Sequence, residues 1–215
     1  MKFLKRQSGQ NIKNIKSFYN KNYTAEKFPY GLKPNSIIKK LLKYVSSGRI
    51  LDLGAGYGKD SLFLASKGFE VFAIDISSVA IAQLKSLAKK SKFKINAKVG
   101  NLDNCSWPKN IKIFIDIYAL HHFPYAQGRR YLKRIQDSTP KGGFNVIKAM
   151  MKKGDLYEKN KRTKRLSCMF DKGELKRLYK FWEILEYKES KNPDKKKMEN
   201  FVTEIIARKK FASKE

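Results

Sequence analysis

Apolar residues recur along this chain in two alternating patterns, which are short continuous runs and stretches with helical spacing. Short runs bounded by turn residues predict strands, and they occur at 49–53, 70–74, 93–99, 111–118 and 144–150. Helical spacing predicts helices at 11–19, 59–66 and 127–136, from Asn35 onward, from Ser77 or Ser78 to about Lys90, and from Asp171 to Tyr179. Strands that alternate with helices in this way predict a parallel sheet with right-handed crossovers.

The end of the chain has a different rhythm. Residues 181–187 and 200–208 predict two strands joined by a polar loop that contains Asn192-Pro193-Asp194, which is typical of a hairpin. An antiparallel strand pair that closes a doubly wound sheet accounts for this ending. We therefore predict one α/β domain at 35–215, built on a doubly wound, mostly parallel seven-stranded sheet with an antiparallel C-terminal strand. A helical lid segment at 1–34 precedes it.

The first predicted strand runs directly into a glycine-rich loop, Asp52-Leu53-Gly54-Ala55-Gly56-Tyr57-Gly58. Glycines at alternate positions allow a sharp turn and bring the backbone close to a ligand, and the next helix presents free N–H groups. Dinucleotide-binding folds place the third glycine three residues after the second, whereas Gly58 follows Gly56 by two. The acidic Asp52 suits a cationic amino-acid group better than a pyrophosphate. Taken alone, the loop also fits an ordinary strand-to-helix turn.

Further polar residues stand where the next two strands end. Asp75 closes the second strand, 21 residues after Gly54, where a carboxylate can accept both hydroxyl groups of a ribose. Two carboxylates at strand ends together with the loop favour a nucleoside-binding site over a plain turn. After the third strand, Gly100-Asn101-Leu102-Asp103 can hold an adenine through a polar side chain and a backbone N–H, or can serve only as a turn.

The net charge of +29 on 215 residues bears on the partners of the protein. Clustered cations bind nucleic acid through counterion release, so RNA is a possible partner. The basic residues are mostly Lys and are spread along the whole chain, however. That distribution favours a solvated surface over one that reads a nucleic-acid sequence.

Metal, disulfide and membrane functions receive no support from the sequence. Cys105 and Cys168 lie far apart, form no CxxC pair and have no His at zinc-ligand spacing, so neither a metal site nor a disulfide framework is predicted. No apolar run approaches the ~18 residues that cross a bilayer, and residues 1–10 lack the apolar stretch of a secretory signal. We expect a cytoplasmic protein without membrane contact.

The order of these motifs resembles a known enzyme family. The class I S-adenosylmethionine-dependent methyltransferases are similar to this chain in ILDLGAGYGKDS, VFAIDIS, GNLD, ALHHF and PKGGF, which lie within residues 50–147. Three flanking stretches resemble the tellurite-resistance methyltransferases within that class: FPYGL at 28–32 followed by Pro34, GGFNVI at 142–147, and GELKRLY at 173–179. With these flanks the resemblance covers most of residues 28–210.

This resemblance implies a Rossmann-like fold that binds S-adenosylmethionine. It implies that Asp52 and the glycine loop hold the methionine part of the cofactor and that Asp75 holds the ribose. Asn101 and Leu102 then hold the adenine, and Tyr30 forms a lid with the N-terminal helix. The full set of cofactor-binding residues that it implies is Tyr30, Asp52, Gly54, Ala55, Gly56, Tyr57, Gly58, Asp60, Asp75, Ile76, Asn101, Leu102 and Asp116.

The acceptor side departs from the family pattern. The family has a small hydroxyl residue where this chain has Asp116, which leaves the place of Asp116 at the cofactor open. It also brings His and Arg from its C-terminal segment toward an anionic substrate, whereas 188–197 of this chain offers Lys. His121 and His122 follow the fourth strand beside the expected methyl group. A histidine there can act catalytically as a general base, or can simply cap the strand and shape the pocket floor.

These features together predict a methyltransferase that uses S-adenosylmethionine and acts on a small-molecule acceptor. The acceptor is an anion, a thiol or a chalcogen oxyanion such as tellurite or selenite. The fourth strand ends without the (Asp/Asn)-Pro-Pro-(Tyr/Phe) signature that accompanies methylation of an exocyclic base amine, which disfavours that chemistry. The alternatives are methyl transfer to RNA or protein through the basic surface, and a cofactor-binding module without catalysis.

Overall fold

The computed structural model describes residues 2–26, 28–163, 167–192 and 199–211. Its helices are α1 (Lys2–Ala25), α2 (Ser36–Leu41), α3 (Lys59–Ser66), α4 (Ser78–Lys90), α5 (Tyr125–Ser138), α6 (Asp155–Arg162) and α7 (Glu174–Leu178), with a 3-10 turn at Leu120–His122. Its strands are β1 (Arg49–Leu53), β2 (Glu70–Asp75), β3 (Ile95–Val99), β4 (Ile113–Ile117), β5 (Phe144–Gly154), β6 (Glu183–Lys191) and β7 (Asn200–Arg208). Every strand and helix predicted from the sequence is present, and the bounds differ most at α1.

The seven strands form one sheet in the order β3-β2-β1-β4-β5-β7-β6. The first five strands pair in parallel, whereas β7 runs antiparallel to both of its neighbours, β5 and β6. The predicted fold class, a Rossmann-like and mostly parallel sheet with an antiparallel C-terminal strand, is thereby confirmed. The strand order reverses between β1 and β4, and in such folds ligands bind in the crevice at the carboxyl ends of the strands beside that point.

Helices cover both faces of the sheet, which is why its central strands are almost continuously apolar. On one face the apolar residues of α2 and α3 pack on β1, β4 and β5, and α4 packs on β2 and β3. On the other face α5 and α7 pack on β1, β4 and β5. The carboxyl end of β1 therefore lies between two helical layers.

The sequence did not predict α6. Only Leu156 and Tyr157 are apolar within it, so it carries no hydrophobic stripe of helical spacing. It follows β5, which continues to Gly154 rather than ending at Met150 as predicted. The loop that joins β6 and β7 was predicted from Asn192-Pro193-Asp194, of which Pro193 and Asp194 lie outside the described residues.

The described residues can be compared with the expectations about membrane spans, metal sites and disulfides. Among the described residues, no helix is long and apolar enough to cross a membrane. The same residues contain no group of three His, Cys, Asp or Glu side chains placed to hold a metal ion. Cys105 and Cys168 are both free thiols.

Gly58 marks the point where the glycine loop enters α3 and touches α4. Its φ of +83° lies in the left-handed region, and a Cβ atom there would stand 2.2 Å from Cδ1 of Leu84. Gly68 has a similar φ of +87°, but nothing lies within 4 Å of its Cβ position. The two glycines thus share their backbone conformation and differ in packing.

We expect Gly58→Ala to lower the free energy of unfolding by about 2–4 kcal/mol, because left-handed strain adds to overpacking against Leu84. Gly68→Ala is the matched control, since it introduces only the strain, about 1–2 kcal/mol. Urea denaturation of both variants measures the difference. Equal losses would contradict the packing of α4 against the loop.

Candidate active site

The residues predicted to bind a ligand come together at the carboxyl ends of β1 and β2. The glycine loop leaves β1 and crosses to β2, where the N–H groups of Gly54 and Ala55 donate to the carbonyl oxygen of Ile74 at 2.8 and 3.1 Å. Gly54 has no room for a side chain, since a Cβ atom would stand 2.9 Å from that of Ala119 beyond β4. The loop is therefore fixed between β2 and the turn that follows β4.

The carboxylate of Asp75 joins this loop to the start of α4. Its two oxygens accept hydrogen bonds from the N–H groups of Gly56 and Ser77, both at 2.8 Å. Burial raises the pKa of Asp75, and hydrogen bonds from the backbone of Ser77, Gly56 and Ile76 lower it. A carboxylate has about four lone-pair sites, so each oxygen can accept a further hydrogen bond. Asp75 thus offers two acceptor atoms at the edge of the loop.

Two more carboxyl groups are buried beside the loop, on the side of α3. Asp52 accepts a hydrogen bond from the Ser61 hydroxyl at 2.6 Å. Asp60 accepts from the backbone N–H and from the side-chain amide of Asn35, at 2.7 and 2.6 Å. Burial, and next the charge of Asp60, raise the pKa of Asp52 to about 8. A cation placed beside this pair would favour the ionised carboxylates.

Asp116 lies on the opposite face of the sheet from Asp52. Side chains alternate along a strand, and Asp116 is in register with Leu53, whose side chain joins the core that packs against α5 and α7. Asp116 is fully buried, and its Oδ1 accepts a hydrogen bond from the N–H of Ala119 at 3.0 Å. Burial raises its pKa to about 7. The side chains of Asp116 and Asp52 therefore lie on opposite faces of the sheet. From within β4, Asp116 accepts a hydrogen bond from the following turn, whose Ala119 lies against Gly54.

Tyr118 stands between β4 and that turn with a left-handed φ of +66°. Such backbone costs a non-glycine residue about 1–3 kcal/mol and is concentrated at functional sites. The N–H of Tyr118 donates to the Lys148 carbonyl at 2.8 Å, and its hydroxyl donates to Oδ1 of Asn192 at 3.0 Å. Nothing in the sequence pattern signals this conformation, because Tyr118 directly follows a run of strand-forming residues and is itself a strand former.

The two candidate catalytic histidines occupy the 3-10 turn after β4. The ring centroids of His121 and His122 are 3.9 Å apart. Nε2 of His122 and the hydroxyl of Tyr19 in α1 form a hydrogen bond of 2.7 Å, and the two rings meet edge to face. His122 thereby connects this turn to the N-terminal helix.

The C-terminal part of α1 lies over the glycine loop. Oδ1 of Asn20 accepts a hydrogen bond from the Ser77 hydroxyl at 2.7 Å, and the Gln83 side chain donates to the Tyr23 carbonyl at 2.9 Å. The Tyr23 ring is buried, and its hydroxyl stands 2.8 Å from the Cβ position of Gly56. Sequence reasoning missed Asn20 and Tyr23, because their partners are distant along the chain.

The predicted lid residue Tyr30 lies at the rim of the site and is 47% exposed. Its backbone N–H donates to the Tyr57 hydroxyl at 3.1 Å, which in turn donates to the Gly31 carbonyl at 2.6 Å. Its ring meets that of Tyr23 edge to face, with centroids 6.3 Å apart. Tyr57 therefore links the glycine loop to the segment that leads from α1 into α2.

Asn101 and Leu102 form a turn after β3 that is attached to β2. The N–H of Gly100 donates to the Asp75 carbonyl at 2.8 Å. Oδ1 of Asn101 accepts from the N–H of Asp103 at 3.2 Å, and Leu102 is buried in the core. The side chain of Asn101 thus stabilises the turn, and that of Leu102 anchors it.

The sequence matches the family model described as tellurite resistance protein TehB over residues 14–205. A similar curated protein is a "Probable S-adenosyl-L-methionine-dependent methyltransferase TehB" of Haemophilus influenzae (strain 10810). It is 30% identical over 175 residues, and the match covers 78% of this chain and 59% of that protein. This chain thus spans about 59% of the length of the curated TehB proteins that it matches.

Two crystal structures share the fold. TehB from Haemophilus influenzae superposes with a TM-score of 0.69 and 24% identity, over 82% of this chain and 62% of that one. A methyltransferase from Methanosarcina mazei, described as SAM-dependent, superposes with a TM-score of 0.68 and 24% identity, over 83% and 99%. The matched range 14–205 includes β1–β6, most of β7 and the whole crevice. The chain therefore belongs to the TehB family.

Proposed function

We propose that this protein transfers the methyl group of S-adenosylmethionine to a small-molecule acceptor with a nucleophilic lone pair. The acceptor is an anion, a thiol or a chalcogen oxyanion such as tellurite or selenite. The observation that carries the proposal is the geometry of Asp75, which keeps the glycine loop in place and still offers two acceptor oxygens. Membership of the TehB family supports the same function.

The crevice suggests how the cofactor is oriented. In the proposed complex, Asp75 accepts the two ribose hydroxyls through the lone pairs that the backbone donors leave open. The ammonium end of the methionine part then lies toward Asp52 and Asp60, where buried carboxyl groups favour a cation. The adenine lies toward Asn101 and Leu102 at the end of β3.

The proposed reaction requires little acid–base catalysis from the protein. A lone pair of the acceptor forms a bond to the methyl carbon, and the electrons of the methyl–sulfur bond return to the sulfonium, which becomes a neutral thioether. An anionic acceptor releases no proton, and a thiol gives its proton to water when it forms the thiolate that reacts, so neither His121 nor His122 has to act as a base. We infer that catalysis rests on alignment of the acceptor with that bond and on the exclusion of water.

The N-terminal segment 1–34 acts as the lid in this proposal. The hydrogen bond between Tyr19 and His122 and the one from Ser77 to Asn20 hold α1 over the crevice. Tyr23 stands directly beside Gly56, so α1 has to move before a cofactor can reach the loop. A closed helix over the methyl group favours a small acceptor over RNA or a protein.

Arg134 on α5 stabilises the backbone of the turn that is proposed to bind the adenine. Its guanidinium donates to the carbonyl oxygens of Cys105 and Leu102 at 2.8 and 3.4 Å. It also lies 3.7 Å from the ring centroid of Trp107, a cation–π contact. Arg134 thus fixes the backbone from Leu102 to Trp107 without reaching the crevice itself.

We expect Asp75→Ala to weaken the binding of S-adenosylhomocysteine about 100-fold or more, because two hydrogen bonds to a charged group are lost. Asp75→Asn keeps one oxygen acceptor and should retain part of the affinity. Titration calorimetry measures the affinity of both variants for S-adenosylhomocysteine. Their turnover of S-adenosylmethionine should fall as the affinity falls.

Asp137→Ala is the control, since Asp137 is an exposed aspartate in the last turns of α5 and takes no part in the proposed cofactor site. Affinity that is unchanged in Asp75→Ala would refute the ribose assignment. The activity itself is measured as S-adenosylhomocysteine formed with tellurite, selenite or a small thiol. A protein that binds the cofactor but forms no product with any of these is not the methyltransferase proposed here.

We also expect S-adenosylmethionine to release a proton when it binds near pH 7. The pKa of Asp52 is about 8 in the cofactor-free protein, and an adjacent ammonium group would lower it, so the bound state holds fewer protons. Affinity should therefore rise with pH up to about 8 and then level off. Calorimetry in buffers of different ionisation enthalpy counts the proton. The isosteric Asp52→Asn should remove the effect, and a release that persists in this variant would rule out Asp52 as its source.

Arg134→Ala should weaken cofactor binding by roughly threefold to tenfold, because the adenine turn loses its hydrogen bonds and a cation–π contact of about 1 kcal/mol. Arg130→Ala removes the same charge from an exposed position of α5 and should leave binding unchanged. Calorimetry with S-adenosylhomocysteine compares the two. Equal affinities would show that the turn does not depend on Arg134.

A further inference from the structure

Lys148 is a buried cation in a chain whose lysines are mostly on the surface. It lies on β5 and is 3% exposed. Glu204 is its register partner on β7, and Nζ of Lys148 is 3.7 Å from Oε2 of Glu204. The two side chains are 4% and 9% exposed, whereas those of the Lys133–Asp137 pair are 72% and 62% exposed.

A buried ion pair of this kind is weak evidence for a stabilising role. Both charges lose their hydration, and their attraction offsets that loss only when the geometry is excellent. The Lys148–Glu204 separation of 3.7 Å is longer than a hydrogen bond. Stability therefore does not explain why both charges are buried, and a role in function is the alternative.

Lys148 lies beside the end of β4, in register with Ile117, where the proposed function puts the acceptor. Its carbonyl accepts the N–H of Tyr118, and its Nζ lies 5.1 Å from the centroid of the Tyr118 ring. Tyr118 directly precedes Ala119, whose methyl group limits the space at Gly54. Burial raises the pKa of Asp60 at the start of α3, and the charge of Lys148 is close enough to oppose that rise in part. Lys148 therefore lies on the face of the sheet that α3 covers, next to the end of β4.

The surroundings of this pair strengthen its electrostatic effect. An apolar cluster lies next to it, formed by Met150, Met169 and Val202 and joined by Tyr118 and Leu156. Coulomb interactions are several times stronger in such low-dielectric surroundings than in water. A cation there attracts an anion far more effectively than the exposed lysines do.

We propose that Lys148 is the residue that binds the negative charge of the acceptor, and that Glu204 is the counter-ion which the acceptor displaces. The inference rests on the proposed function and deepens it by assigning an anion subsite for an oxyanion or a thiolate. The acceptor keeps its charge until its lone pair forms the bond to the methyl carbon. The electrons of the broken methyl–sulfur bond stay on the cofactor sulfur, so no further reactant is needed.

The test measures selenite binding to the S-adenosylhomocysteine complex by calorimetry. Lys148→Met should weaken selenite binding roughly tenfold or more, because a desolvated charge partner is removed. Glu204→Gln should strengthen it, since the competing carboxylate is gone. Lys153→Met is the matched control, because Lys153 is an exposed lysine of the same strand; it should leave selenite binding unchanged.

The opposite effects expected for Lys148→Met and Glu204→Gln distinguish anion binding by Lys148 from a structural role of the ion pair. A structural role would weaken selenite binding in both variants. If Lys148→Met fails to fold, the double variant Lys148→Met/Glu204→Gln leaves no unpaired charge and should still lose selenite. Unchanged binding in a folded Lys148 variant, weaker binding in Glu204→Gln, or no selenite binding by the parent protein overturns the inference. Selenite binding that depends on Lys148, in a protein that methylates no small acceptor, would leave the anion site standing and refute only the proposed function.

Discussion

The carboxylate of Asp75 is the group on which the rest of the site depends. One oxygen accepts the N–H of Gly56 and the other that of Ser77, so a single side chain joins the loop after β1 to the start of α4. Its backbone carbonyl accepts the N–H of Gly100, which adds the end of β3. One residue thus holds three segments that follow three different strands. The acid that is proposed to bind the ribose is itself fixed by the backbone that it holds.

The distribution of buried charge follows from this arrangement. Most of the chain's excess positive charge is solvated, whereas Asp52, Asp60, Asp75, Lys148 and Glu204 are buried at or near the carboxyl edge of the sheet. Burying these groups lowers stability unless hydrogen bonds or counter-charges compensate. Asn35, Ser61 and the loop amides supply that compensation for the three aspartates. The buried charges thus lower the stability of the protein at a place where a charged ligand can compensate for them.

The sequence predicts the parts of the molecule that local chemistry determines. The apolar run of β1 ends at the glycine loop, and that of β2 ends at Asp75. Both features depend only on residues that are neighbours in the sequence, so the sequence predicts them. Contacts between distant segments escape such reasoning: Tyr19 and His122 are 103 residues apart, and Asn20 and Ser77 are 57 apart. Lys148 and Glu204 meet only because β7 inserts between β5 and β6. The face on which Asp116 lies likewise depends on the strand's register against β1.

In the proposed function, the N-terminal helix controls both the entry of the cofactor and the choice of acceptor. Two side-chain hydrogen bonds join α1 to the site, one between Tyr19 and His122 and one from Ser77 to Asn20. Both are partly buried, and bonds of this kind contribute only about 1 kcal/mol each. We infer that α1 opens readily for a cofactor and closes again behind it. A macromolecular acceptor would have to reach the methyl group with α1 displaced, and it would forfeit the exclusion of water. A small anion can be enclosed together with the cofactor, which agrees with a buried lysine beside β4 rather than an open basic surface.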